Sequence, residues 1–224
     1  MTNLIAAKPS PEMLDYLLKR RSTPVKTLTT PGPDKTQIET ILKAAARVPD
    51  HGKLAPWYFI VFEGNRRKQV GELFKAAWLE IEADASPDKL ALEAARFERA
   101  PVVIAVVSRM RPGKKPLWEQ ILSSGAAAHN LCLAANALGF GTNWLTEWPA
   151  FNATFKKSLG LDQRDHVAGF IYIGTPSSMP EERERPDMAA ITTYWQPGVS
   201  LNKGDANDQT DLGFPPAQFD LSKI

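Results

Sequence analysis

Arg20, Arg21 and Ser22 place two guanidinium groups and a hydroxyl at consecutive positions, a donor set suited to a phosphate monoester. Two readings fit the triplet. It is either an anion site or a pair of solvated cations complementing the negative end of the helix that precedes it. A second feature is PDHGKLAP at 49–56, which holds His51 and Lys53 between prolines and includes Gly52; it reads as a rigid loop, neither helix nor strand. Other familiar chemistries lack their residues. Gly139-Phe140-Gly141 begins like a dinucleotide fingerprint, but Trp144 stands where the third glycine belongs and the pair follows a helix. There is no Walker A pattern and no GxSxG elbow. The three histidines, His51, His129 and His166, are scattered, and His129 with Cys132 reads as packing inside an apolar helix.

The elements that must carry these residues follow from periodicity. Ser10 as N-cap and Pro11 at the first position open a helix whose apolar face is Met13, Leu14, Leu17 and Leu18, and it ends at Arg20. Asp34 and Gln37 form a capping box for a second helix through Ile38, Ile41, Leu42 and Ala45. Residues 57–62 read as a buried strand. Val70, Leu73, Phe74, Ala77, Trp78 and Ile81 recur at helical spacing after Asn65, and Ser86-Pro87-Asp88 starts another helix. PVVIAVVS at 101–108 is an unbroken apolar run, the pattern of a central strand covered on both faces.

The longest helix spans 117–138 and stops at Gly139. Its small residues at 123–128 suit close approach of two such helices across a two-fold axis, and suit packing within one chain equally. Strand 140–145, a helix at 149–159 closed by Gly160, and strand 166–173 come next, and 191–195 offers a fifth strand. The last 29 residues show no period and read as an extension in which Phe214, Phe219 and Leu221 either dock on a neighbouring surface or stay unstructured.

Composition bounds the rest. The 224 residues, 43% hydrophobic and 23% charged, suffice for one compact domain. Twenty-seven Lys+Arg against 25 Asp+Glu leave +2, too balanced for a protein devoted to the nucleic-acid backbone. One cysteine excludes an internal disulfide and fits a reducing interior. The first 14 residues lack a basic start and a continuous apolar stretch, and no run of about 18 apolar residues occurs, so a cytoplasmic protein free of membrane and nucleic acid is expected.

Taken in order, RRS at 20–22, Arg47, PDHGKLAPWYFIVF at 49–62, the PVVIAVV strand, LGFGTNW at 138–144 and HVAGFIYIGTP at 166–176 resemble the nitroreductase family of flavin-dependent oxidoreductases, above all its compact bacterial subgroup. The resemblance spans about 11–195. It implies an α+β fold with a central, mostly antiparallel sheet of four to five strands flanked by helices, and an intertwined homodimer with one FMN in each of two interfacial clefts. On that basis residues 1–195 form a single FMN-binding domain and 196–224 an extension.

Residue by residue, the resemblance implies that Arg20, Arg21 and Ser22 hold the FMN phosphate and ribityl end, joined by Arg47. It implies that Pro49, Asp50, His51 and Lys53 meet the flavin from the partner subunit, and that Trp144, Leu145 and Thr146 approach the ring near N5. Arg185 stands where relatives carry a basic residue near the phosphate. The implied activity moves hydride from NADH or NADPH through FMN to a nitroaromatic, quinone or similar acceptor. Two alternatives accompany it: a non-enzymatic flavin store or sensor, and the same fold running dehalogenation, flavin fragmentation, or enoate or dipeptide oxidation. A flavin brings its own redox chemistry, which agrees with a sequence lacking nucleophile and triad.

Overall fold

The computed structural model describes residues 8–204. Its contacts divide the chain after Pro180. The elements up to that point are α1 (Pro11–Lys19), β1 (Leu28–Thr29), α2 (Lys35–Ala45), β2 (Trp57–Glu63), α3 (Arg66–Ile81), α4 (Pro87–Ala94), β3 (Val102–Arg109), α5 (Leu117–Ala137), β4 (Gly141–Leu145), α6 (Ala153–Ser158) and β5 (Asp165–Pro176). The sheet runs β1-β5-β3-β2, β4 also pairs with β5, and every pairing is antiparallel.

Strand β3 explains the layering. Val103, Ala105 and Val107 point into a core with Phe74 of α3, Phe97, Phe155 of α6, Phe170 and Tyr172. Val102, Ile104 and Val106 point the other way, onto Ile38 and Ile41 of α2 and Ala128, Leu131 and Cys132 of α5. A strand covered on both faces needs apolar residues at every position, which is what 101–108 supplies. The helix starts follow equally local chemistry. Asp34 and Gln37 close the expected box, with Asp34 Oδ1 accepting from the Gln37 amide at 2.8 Å, and Ser86 accepts from the Lys89 amide at 3.2 Å. Gly139 and Gly160 take φ of +88° and +85°, the left-handed turn that ends a helix.

Four expectations need correction. Ser10 makes no side-chain capping bond, and Pro11 alone opens α1. That helix buries none of its residues: Met13, Leu14 and Leu18 are 61%, 59% and 72% exposed, so the face legible in the sequence is not packed into the core. The helix expected over 149–159 is broken. Trp148–Ala150 is a single 3-10 turn, and α6 starts afresh because the Asn152 side chain accepts from the Phe155 amide at 2.8 Å. The fifth strand is Leu28–Thr29, and 191–195 is no strand.

The unit from 181 to 204 contains α7 (Met188–Ile191), capped by Asp187. It folds back through Asn202, whose amide donates to the carbonyls of Ala189 and Thr192, both at 2.9 Å. Phe214, Phe219 and Leu221 lie outside the described residues.

Candidate functional site

Arg20 caps α1 in an extended conformation, its amide donating to Tyr16 O at 2.9 Å. The chain then runs beside β4: the Thr23 amide donates to Thr142 O at 2.8 Å, and Asn143 Nδ2 donates to Thr23 O at 2.7 Å. Arg20, Arg21 and Ser22 are thereby tied to the strand that carries Trp144 and Leu145. Arg20 Nη2 reaches Ser22 Oγ at 3.5 Å, while its Nε is buried without a hydrogen-bond partner. A buried guanidinium donor left unmet is costly, so this corner fits an anion. The charge is felt on α5. Burial lowers His129 and Arg20 adds to the effect; burial pushes the Cys132 thiol up to about 11 against the opposing pull of Thr142 and Arg20.

The 49–56 loop is built around Asp50, whose two carboxylate oxygens accept from the amides of Leu54 (3.0 Å) and Ala55 (2.8 Å). Closing so tight a turn puts Gly52, Lys53 and Ala55 at φ of +80°, +55° and +44°. Left-handed backbone at two residues with side chains is strain of the kind that persists where surroundings over-determine it. The surroundings here are α5. Ser123 Oγ donates to Pro49 O at 2.7 Å and accepts from Trp57 Nε1 at 3.1 Å, and Ser124 Oγ donates to Pro56 O at 3.1 Å. The small residues of that helix thus serve as anchors for the loop.

His51 is held between Lys115 Nζ at its Nε2 (2.8 Å) and Glu119 Oε2 at its Nδ1 (2.6 Å). An ammonium can only donate, so Nε2 accepts from Lys115 and Nδ1–H donates to Glu119. Pro49, His51, Glu119, Leu122, Ser123 and Ala126 line an open cleft of about 350 Å³.

Trp144 lies across Gly169. Its Nε1 donates to Ala168 O at 3.0 Å, and a Cβ on Gly169 would stand 2.0 Å from that nitrogen. Ala168 is the extra residue of a bulge in β5, where Val106 faces Gly169 and Val107 faces Val167. Leu145 pairs with Phe170, and Thr146 is half-buried beyond the strand end.

Within one chain these pieces form two groups. Arg20, Arg21 and Ser22 join the Trp144 to Thr146 segment through β4. Pro49, Asp50, His51 and Lys53 sit by the first half of α5, and Ser123 and Cys132, nine positions apart on that helix, are separated by about 13 Å. Arg47 is exposed after α2, its carbonyl accepting from Asn130 Nδ2 at 3.0 Å. Arg185 belongs to the 181–204 unit, where it donates to Glu182 Oε1 at 2.7 Å. Lys115, Glu119 and Ser123 lie outside the site residues that the sequence points to; the one signal it offers for them is the i, i+4 spacing of Glu119 and Ser123 on a single helix face. Among the described residues no group of three or more His, Cys, Asp or Glu could hold a metal ion.

Fold and site define an α+β protein with an unmet arginine donor beside an edge strand and a strained loop anchored on its longest helix. The model of the nitroreductase family matches residues 17–175. The chain is 38% identical over 186 residues to the protein named "Putative NAD(P)H nitroreductase" of Haemophilus influenzae, covering 82% of this chain and 99% of that one. It is 36% identical over 192 residues to "Putative NAD(P)H nitroreductase YdjA" of Escherichia coli K12, covering 82% and 100%. Among solved structures, a nitroreductase-like family protein from Bacillus cereus superposes with a TM-score of 0.74 at 22% identity, covering 85% of this chain and all of that one. A nitroreductase with bound FMN from Bacteroides fragilis does so with 0.59 at 19%, covering 84% and all. The chain belongs to the nitroreductase family.

Proposed function

We propose that the protein is an FMN-dependent oxidoreductase that takes reducing equivalents from NADH or NADPH and delivers them to a nitroaromatic, quinone or similar acceptor. The observation that carries this reading is Arg20 Nε, buried and unpartnered beside Ser22 and β4, in a family member whose relatives are named for NAD(P)H and whose structural neighbour from Bacteroides fragilis holds FMN. Bound FMN supplies the two-electron redox chemistry.

The chain's own residues supply binding and shape. Arg20, with Arg21 and Ser22, donates to the terminal phosphate, and Arg47 adds positive charge. Trp144, pinned over Gly169, fixes the strand end from which Leu145 and Thr146 reach the ring. Pro49, Asp50, His51 and Lys53 form the opposing wall, in a loop that Asp50 and α5 hold in one shape. In this reading the wall belongs to the second subunit of a homodimer. Support comes from the uncovered apolar face of α1 and from the groove of about 460 Å³ beside it, where Met13, Tyr16 and Leu17 face Ala44, Leu133 and Ala134. Donor and acceptor share one cleft in turn, which gives ping-pong kinetics.

The first test is the visible spectrum of the purified protein, followed by heat denaturation and chromatography of the supernatant. Free FMN is expected. FAD, or no flavin after reconstitution, overturns the reading.

A further inference from the structure

Glu147 leaves β4 with φ +51° and ψ −179°, a region of backbone that is open essentially to glycine alone. It is two residues beyond Leu145, the last residue of the β4–β5 ladder, so its backbone sets the direction in which the Thr146–Glu147 peptide points. The surrounding side chains over-determine it. Arg99 donates to both carboxylate oxygens, Nη1 to Oε1 at 3.1 Å and Nη2 to Oε2 at 2.5 Å, and Arg96 Nη1 stands 3.0 Å from Oε1.

Both arginines are themselves fixed. Arg99 Nε donates to Arg96 O at 2.8 Å and Nη2 to Tyr172 Oη at 2.7 Å, with the guanidinium 4.8 Å from the Tyr172 ring centre. Arg96 Nε donates to Glu93, which is fully buried, pairs with Lys89 at 2.9 Å and accepts from Trp148 Nε1 at 2.9 Å. Trp148 is the residue that follows Glu147. The last turn of α4, through Glu93, and the turn that follows it, Ala95–Arg99, therefore grip the exit of β4 at two successive side chains.

We propose that Arg99, assisted by Arg96, is a positioning residue for the cofactor-facing segment: its paired bonds hold Glu147 in a conformation natural only to glycine, and so aim the Thr146–Glu147 peptide, next to Leu145, at the ring. The aim at the ring rests on the flavin reading above; the clamp on the backbone does not. A surface ion pair of ordinary kind leaves local backbone untouched when removed. A clamp becomes dispensable once glycine stands at the clamped position.

Four variants separate the two: Arg99→Met, Glu147→Gln, Glu147→Gly and the double variant Arg99→Met with Glu147→Gly. In the FMN-loaded enzyme, Arg99→Met and Glu147→Gln are expected to slow flavin reduction by about ten- to a hundredfold, as displacement of a positioned group does, and to change the visible circular dichroism of the flavin. Glu147→Gly and the double variant are expected to keep the wild-type rate and spectrum within a factor of about two. In the apoprotein, the Leu145 and Thr146 amide resonances should move in Arg99→Met and return in the double variant.

Glycine and glutamine at 147 behaving alike, or a double variant no better than Arg99→Met, overturns the clamp. Should Arg99→Met fail to fold, the contrast between Glu147→Gln and Glu147→Gly decides alone. Amides that follow the expected cycle in a protein that binds no FMN refute the flavin reading and leave the clamp standing.

Discussion

Arg20 gathers the two readings of its triplet into one atom. A solvated cation at a helix end has water on every donor, whereas here Nε is buried and unmet. Arg20→Ala should therefore weaken FMN binding by about 1.5–3 kcal/mol, roughly ten- to a hundredfold, with the fold intact. Fluorescence titration giving equal affinities would return the residue to the helix-dipole role. Gly169 is constrained in the opposite sense, by lack of space. Gly169→Ala brings a methyl against the Trp144 indole, and urea unfolding should show a loss of about 1–3 kcal/mol from overpacking; pairing it with Trp144→Ala should remove most of that loss. The Arg20 triplet was legible because its members are adjacent in sequence. The partners of His51 and Glu147 were not: Glu119 and Arg99 lie 68 and 48 positions away, and only the folded sheet and helices bring them close.

At the scale of elements, what local chemistry decides could be read and what packing decides could not. The capping box of α2, the two-faced burial of β3 and the glycine stops all depend on neighbours in sequence. The break before α6 depends on Asn152 competing for the Phe155 amide, and the pairing of Leu28–Thr29 with β5 depends on a strand 146 residues on. The start of β5 makes a separate prediction. Arg109 donates to Asp162 at 2.8 Å and to Asp165 at 2.7 Å, tying the end of β3 to the turn before β5. The Arg109 bond first, and then the Arg164 amide donating to Asp162 Oδ1 at 2.8 Å, hold the Asp162 carboxyl down at about 2, below the ordinary 3.8. A carboxylate whose folded value lies below its unfolded one stabilises fully above the unfolded value and loses that contribution as pH falls. Stability should thus decline between pH 3.8 and about 2, and Asp162→Asn should flatten that part of the profile in denaturant midpoints. An unchanged slope would mean the bonds do not persist in solution.

For the whole molecule, the apolar run of β3 was enough to place one strand between two covering layers, while the α+β plan itself followed from the family resemblance. The homodimer is an expectation of the resemblance alone, and in the sequence the α1 face looks like that of any core-facing helix, whereas the structure buries none of its residues. Among the described residues no helix is long and apolar enough to cross a membrane. If each flavin meets Arg20 from one subunit and the 49–53 loop from the other, Arg20→Glu and Gly52→Trp homodimers should both be inactive. Co-refolding an equal mixture should then restore about a quarter of the sites, because half of randomly paired dimers carry one unblemished site of two. No recovery, with heterodimers confirmed by native mass spectrometry, would place the whole site within one chain. The claim beneath all of this is that the protein carries electrons from a nicotinamide to an acceptor. The most direct measurement is anaerobic stopped-flow mixing of the FMN-loaded protein with NADH and, separately, NADPH. At least one should bleach the visible flavin band, and a nitroaromatic or quinone added afterwards should restore it. A flavin that neither nicotinamide reduces at a useful rate would contradict the account and make the protein a flavin binder without turnover.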